Sequence, residues 1–284
     1  MSRNLAASVQ ARLLNLARSS SRDYGQVLTR FALERLLYRL SISEHADHFL
    51  LKGALLFDLW FDIPLRPTRD IDLLGFGVSE TPHLIGVFQD LCGLEVEDGM
   101  VFVADSLNAQ EIRKAANYSG VRVTLRALLG PSKASIQIDV GYGDAVTPAP
   151  ERAAYPVLLD EFAAPQLRVY PRETVVAEKL ETIVLLGIAN SRMKDYFDLW
   201  VLCKHTHGES SLLKQAIHAT FQRRGTPLPK VLPVGLSEEF ALDTQKQQQW
   251  RAFLKKNRLD EIALQSVVEE LRLWLAPLLP NLID

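Results

Sequence analysis

Two stretches between residues 120 and 140 alternate apolar and polar residues with a period of two, whereas the chain before about residue 45 and after about residue 173 keeps helical spacing. Val121-Arg122-Val123-Thr124-Leu125-Arg126 and Ile136-Gln137-Ile138-Asp139-Val140 alternate without a break, so each is expected to bury one strand face and expose the other. Strands of one sheet are therefore expected at 101–104, 120–127 and 134–140. Upstream, Val9, Leu13 and Ala17, then Val27, Phe31, Leu36 and Leu40, predict two helices over about residues 5–45 with a polar break at Ser19–Asp23. After a Pro-rich stretch at 147–156, the expected linker, and a short strand at 167–169, the pattern turns helical: 173–186, 194–204, 212–223, 237–255 and 262–275. This order implies an α+β fold, a mixed sheet with flanking helices followed by a helical C-terminal region. The expected divisions are 1–45, 46–160 and 161–284.

The two cysteines, Cys92 and Cys203, lie in apolar helical patterns without CxxC spacing, which points to buried thiols in a reduced, cytoplasmic setting. Arginines interrupt the first segment, so no signal-peptide core is expected there. The most apolar stretch, 49–61, is broken by Lys52 and Asp58 and falls short of the roughly 18 residues of a membrane span. A net charge of −2 argues against a wholly basic nucleic-acid binder. Arg12, Arg18, Arg22, Arg30, Arg35 and Arg39 form one basic cluster, and Lys246, Arg251, Lys255, Lys256 and Arg258 another. Each is either a solvated helix face or a contact for RNA phosphate. The histidines show no paired ligand spacing, and no Gly-rich Walker run is present.

The chemistry-bearing segment is Thr68-Arg69-Asp70-Ile71-Asp72-Leu73-Leu74. In a strand, Asp70 and Asp72 share one face while Ile71 and Leu73 enter the core. Two acids side by side repel each other, an arrangement suited to hard divalent cations that share their oxygens. Upstream, a strand at 48–52, a turn at Gly53 and a helix at 54–61 would present backbone N–H groups to a phosphate. Two prolines make 63–68 a loop. Asp139 either supplies a third carboxylate or is a strand-end acid hydrogen-bonded to Gly141 or Gly143.

Further on, Glu178-Lys179-Leu180 lies on one expected helix and Arg192-x-Lys194-Asp195-x-x-Asp198 on the next. Lys179 can carry its ammonium to a triphosphate, and Asp198 can orient Lys179 or Arg192 or accept a proton. Alternatively, Lys179, Arg192, Asp195 and Asp198 form an interhelical salt-bridge network.

Lys52-Gly53-Ala54, Arg66, Thr68 and Asp70-x-Asp72, followed by this second motif, resemble the DNA polymerase β-like nucleotidyltransferases, specifically the AbiEii/AbiGii toxin family. The resemblance runs from about Phe49 to Leu202. It implies a nucleotidyltransferase-type core with two Mg2+ ions, or Mn2+, on Asp70, Asp72 and Asp139. Lys52, Gly53, Ala54, Arg66, Thr68, Lys179 and Arg192 would meet a nucleoside triphosphate, and Asp70, Asp72, Lys179, Asp195 and Asp198 would serve catalysis. It further implies a toxin with a cognate antitoxin and an RNA acceptor, the tRNA 3′ end. Alternatives are a protein hydroxyl as acceptor, or a non-catalytic nucleotide- or antitoxin-binding module, whose mark would be loss of the acids. Both acids are intact. One departure is Gly53-Ala54 where the superfamily has Gly-Ser, which removes a hydroxyl contact to phosphate and bears on nucleotide choice.

Overall fold

The computed structural model describes residues 2–61, 68–115, 118–205 and 210–280. The chain forms two compact units, Met1–Gly143 with Glu151–Tyr170, and Asp144–Pro150 with Pro171–Asp284.

The first unit opens with helices α1 (Ser2–Ser19) and α2 (Tyr24–Ile42), and Asp23 caps α2 by accepting from the Gln26 N–H. Strand β1 (Phe49–Lys52), helix α3 (Leu55–Trp60), strand β2 (Asp70–Gly75) and helix α4 (Thr81–Gly93) follow. Then come β3 (Met100–Ala115), β4 (Tyr118–Leu129), β5 (Ser132–Tyr142), β6 (Glu151–Ala154) and β7 (Gln166–Val169). The strands make one mixed seven-stranded sheet in the order β3-β4-β5-β2-β1-β7-β6. Pairing is parallel for β2 with β5 and β1 with β7, and antiparallel elsewhere. The apolar residues of the alternating strands, Ile71, Leu73, Val121, Val123, Leu125, Ile136, Ile138 and Val140, are all buried. Helices α2 and α4 pack on β5 and β3 and supply Phe31, Leu36, Leu84 and Phe88 to that core. Burial of this kind is the main stabilising term, roughly 25 cal/mol for each Å² of apolar surface.

Two strands exceed expectation. β3 is far longer than 101–104 because its register with β4 shifts between Val103 and Asn108, which breaks the alternation along the chain. Ser106 stitches this bulge: its hydroxyl donates to the Val103 carbonyl (2.6 Å) and accepts from the Arg126 N–H (2.8 Å). β6 lies within the Pro-rich stretch and pairs with β7 as a short strand at the sheet's end. Between β4 and β5, Gly130 takes φ +56 in a two-residue turn, a backbone that glycine adopts without steric cost.

The second unit is helical: α5 (Arg172–Leu186), α6 (Met193–His205), α7 (Ser210–Arg224), α8 (Glu238–Leu242), α9 (Thr244–Asn257) and α10 (Leu264–Leu275). The expected single helix over 237–255 is two, because Asp243 ends α8 and caps α9, accepting from the Lys246 N–H at 2.9 Å. No described helix is long and apolar enough to cross a membrane.

Candidate active site

β2 lies between β1 and β5, so its two acids stand in the middle of the sheet. Asp70 and Asp72 are half-buried and share a face, while Ile71 and Leu73 between and after them are buried on the other. Register extends this placement sideways. Asp72 is opposite Lys52 on β1 and Asp139 on β5, and Asp70 is opposite Gln137. Asp139 is in turn opposite Arg122 on β4, and Arg122 opposite Gln110 on β3. One row across five strands therefore reads Lys52, Asp72, Asp139, Arg122, Gln110, and register neighbours share a face.

Gly53 turns the chain out of β1 with φ +75, and a Cβ built there would stand 2.7 Å from Asp72 Cβ and nearer still to Asp72 Oδ2. Both the backbone angle and the packing demand glycine. Ala54 follows in the turn, and α3 has six residues, shorter than the expected 54–61. Lys52 Nζ donates to the Tyr170 hydroxyl at 3.4 Å and lies 5.0 Å from that ring's centre. Thr68 Oγ1 is 3.5 Å from the Asp70 carbonyl oxygen, beside β2. Arg66 is outside the described residues.

Asp139 is paired with Arg122. Arg122 Nε donates to Asp139 Oδ1 at 2.8 Å and Nη2 donates to Oδ2 at 2.9 Å, a forked pair that engages both carboxylate oxygens. The hydrogen bond to Asp139 raises the Arg122 pKa above its ordinary value against a small burial effect, and the charges of Asp139, Asp70 and Asp72 add to it. Arg122 is the site residue that motif reading passes over, since it carries no signature of its own.

Three carboxylates on neighbouring strands form a hard, oxygen-only donor set of the kind that suits Mg2+ or Mn2+. Asp139 is turned toward Arg122, and among the described residues the three acids do not bring one oxygen each within 4.8 Å. Glu44, His45 and Asp90 do bring three ligand atoms that close, with His45 Nε2 2.9 Å from Asp90 Oδ2. That group, which can also hold a cation, is joined by the fold across 45 residues and so shows no spacing in the sequence.

In the second unit, Lys179 on α5 reaches two acids of α6, Asp195 Oδ1 at 2.8 Å and Asp198 Oδ2 at 2.9 Å. Arg192 Nε donates to Asp195 Oδ2 at 2.5 Å. Asp195 and Asp198 are buried, and the Lys179 side chain is 14% exposed. Burial would raise the Asp195 pKa, but the charges of Lys179 and Arg192 hold it well below the usual carboxylate range. Lys179, Arg192, Asp195 and Asp198 thus form an interhelical ion network.

The basic clusters divide. Arg39 donates to both oxygens of buried Asp98 (2.6 and 3.2 Å), Arg35 sits between Glu34 and Asp98, Arg30 pairs with Asp58 and Arg12 with Glu161. Arg30, Arg35 and Arg39 are structural cations, Arg12 holds a surface pair, and Arg18 and Arg22 are exposed. Of the later cluster, Lys246 is buried over the Phe240 ring, whereas Arg251, Lys255, Lys256 and Arg258 are exposed.

Two solved structures are similar to this chain. JHP933 from Helicobacter pylori is 15% identical with a TM-score of 0.47, covering 86% of this chain and 87% of its own. A candidate nucleotidyltransferase from H. pylori is 14% identical with a TM-score of 0.46, covering 86% and 90%. No curated protein matches the chain. The family model for the nucleotidyl transferase AbiEii toxin of type IV toxin–antitoxin systems matches residues 35–271, a span that takes in β1, β2, β5 and all the helices from α3 to α10 except the last residues of α10. The chain therefore belongs to the AbiEii nucleotidyl transferase toxin family.

Proposed function

We propose that this chain is a magnesium-dependent nucleotidyltransferase that extends RNA, with the tRNA 3′ end as acceptor, and that its toxicity is countered by a cognate antitoxin. The observation that supports it is the half-buried Asp70–Asp72 pair on one face of the sheet, with Asp139 in register and Gly53 packed on Asp72. In the reaction, the oxygen of a 3′ hydroxyl forms a bond to the α-phosphorus of a nucleoside triphosphate. The bond from that phosphorus to the oxygen bridging to the β-phosphate breaks, and pyrophosphate leaves with the electron pair. The hydroxyl proton passes to solvent or to a carboxylate. Bound Mg2+ or Mn2+ would supply Lewis acidity to the hydroxyl and charge neutralisation to the phosphates.

The protein's part is to hold and orient. Asp70 and Asp72 hold the cations, with Asp139 as a further ligand. The turn at Lys52-Gly53-Ala54, with Arg66 and Thr68, takes the phosphates through backbone N–H groups and positive charge. Lys179 and Arg192 counter phosphate charge, and Asp195 and Asp198 keep the Lys179 ammonium in place. The test is incubation with each labelled nucleoside triphosphate, Mg2+, total RNA and total protein. Label is expected in RNA for the wild type and in neither fraction for Asp70→Asn or Asp72→Asn. Label in protein alone would establish a protein hydroxyl as acceptor, and full transfer by either variant would refute the metal assignment.

A further inference from the structure

We infer that Arg122 is a built-in counter-cation of the acid site, competing with the divalent metal for Asp139. This rests on the metal reading of Asp70 and Asp72 given above.

Both Asp139 oxygens accept from one guanidinium, Nε to Oδ1 and Nη2 to Oδ2. Gln137 Nε2 stands a further 3.5 Å from Oδ1. With the fork on both oxygens, a metal that Asp139 took would share those oxygens with the guanidinium and stand next to its charge. The Arg122–Asp139 register pair continues the row that holds Asp72, so the guanidinium sits at the border of the acid cluster and feels Asp70 and Asp72 as well. The Arg122 side chain is 34% exposed and that of Asp139 9%, so solvent reaches the arginine more easily than the acid it covers.

Two effects of Arg122 on metal binding oppose each other, and magnitude decides between them. By fixing the Asp139 rotamer, Arg122 spares the metal a small ordering cost. By placing a unit charge a few ångströms from a divalent ion, it opposes binding, which even under the full screening of bulk water changes affinity by roughly tenfold. Outer partners that strengthen a metal site raise the basicity of its ligand. A guanidinium on a carboxylate does the reverse, drawing negative charge away from the oxygens. The repulsive effect therefore wins. In the metal-free protein Arg122 stabilises three neighbouring acids, and the consequence is weaker cation binding. A divalent ion that took Asp139 would loosen the guanidinium at the β4 side of the acid cluster.

The experiment measures Mn2+ affinity by electron paramagnetic resonance of the free ion, counting only binding that Asp72→Asn abolishes, so that an ion at Glu44, His45 and Asp90 does not enter. Arg122→Gln is expected to bind Mn2+ about tenfold more tightly than wild type and to melt at a lower temperature in chelator. Arg122→Lys, which keeps the charge and loses the fork, is expected within about threefold of wild type. In the Asp139→Asn background, Arg122→Gln is expected to lose most of its gain. Should Arg122→Gln fail to fold without metal, Arg122→Met, which keeps an apolar stem and loses the charge, is measured in its place with the same expected gain. Unchanged or weaker Mn2+ binding in the neutral variant would overturn the inference and make Arg122 an orienting residue. Absence of any binding sensitive to Asp72→Asn would instead overturn the metal reading itself, and this inference with it.

Discussion

Gly53 and Asp72 are packed so closely that a single added methyl group at the first would lie 2.7 Å from the Cβ of the second and nearer still to its carboxylate. The glycine turn and the acid are therefore one mechanical unit. Gly53→Ala is expected to cost about 1–2 kcal/mol for the positive φ alone. It should also push Asp72 off its position. The combined signature is a modest fall in melting temperature with a loss of Mn2+ binding and of transfer of at least about tenfold. A variant with full activity would show that Asp72 is not needed where the structure holds it.

Lys179 is tied to two buried carboxylates, so its removal acts on the fold as well as on chemistry. Lys179→Ala leaves Asp195 and Asp198 without their ammonium and is expected to destabilise by about 3–5 kcal/mol, measurable by urea unfolding. Lys179→Arg, which keeps the charge, is expected to recover part of the stability while changing use of the triphosphate, because a planar fork does not replace a point charge. Recovery of stability and activity together would favour a purely structural lysine.

The same network makes a pH prediction. The folded state holds the Asp195 pKa below its unfolded value of about 3.9, so its pairing contributes fully above that value. The contribution is lost as pH falls toward the depressed folded pKa. The stability gap between wild type and Asp195→Asn is expected to stay constant from pH 7 to about 5 and to narrow below about 4. Narrowing already between pH 7 and 5 would mean that Lys179 and Arg192 do not hold the carboxylate as described.

Four early arginines are committed to Glu161, Asp58, Glu34 and Asp98, which leaves Lys255, Lys256 and Arg258 as the better candidates for RNA phosphate. Replacing these three with alanine is expected to weaken RNA binding across sequences alike. The slope of log affinity against log salt should fall by about 0.7 for each single-strand phosphate that no longer meets a cation. Affinity measured at several salt concentrations checks this, with nucleotide binding as the control. An unchanged slope would take this end of α9 out of the RNA path.

Much of this was legible in the chain. Alternation located β4 and β5, helical spacing located α1, α2 and most of the second unit, and Asp70-x-Asp72 with Gly53 marked the site. What escaped depends on pairing at a distance. Counting outward from the Leu129–Ser132 pair at the Gly130 turn arrives at Arg122 opposite Asp139, but the count is meaningful only once that hairpin is known. Likewise, Arg39 on α2 reads as a surface cation until Asp98, 59 residues away, is brought beneath it. The length of β3 was hidden by its bulge, and the break between α8 and α9 by an apolar spacing that runs through the capping Asp243.

The chain leaves the first unit after Gly143, returns at Glu151 and leaves again after Tyr170. Val169 of β7 pairs with Leu51, and the Tyr170 N–H donates to the Leu51 carbonyl at 3.0 Å. During synthesis, then, the strands bearing all three acids emerge before the edge of β1 has its neighbour. Until residue 170 has left the ribosome, Phe49-Leu50-Leu51 presents an unpaired apolar edge of the sort that seeds aggregation. A fragment ending at 143 would carry every proposed metal ligand and still be a poor candidate for a minimal enzyme, since the gene order interlaces the two units and no single cut sets either one loose.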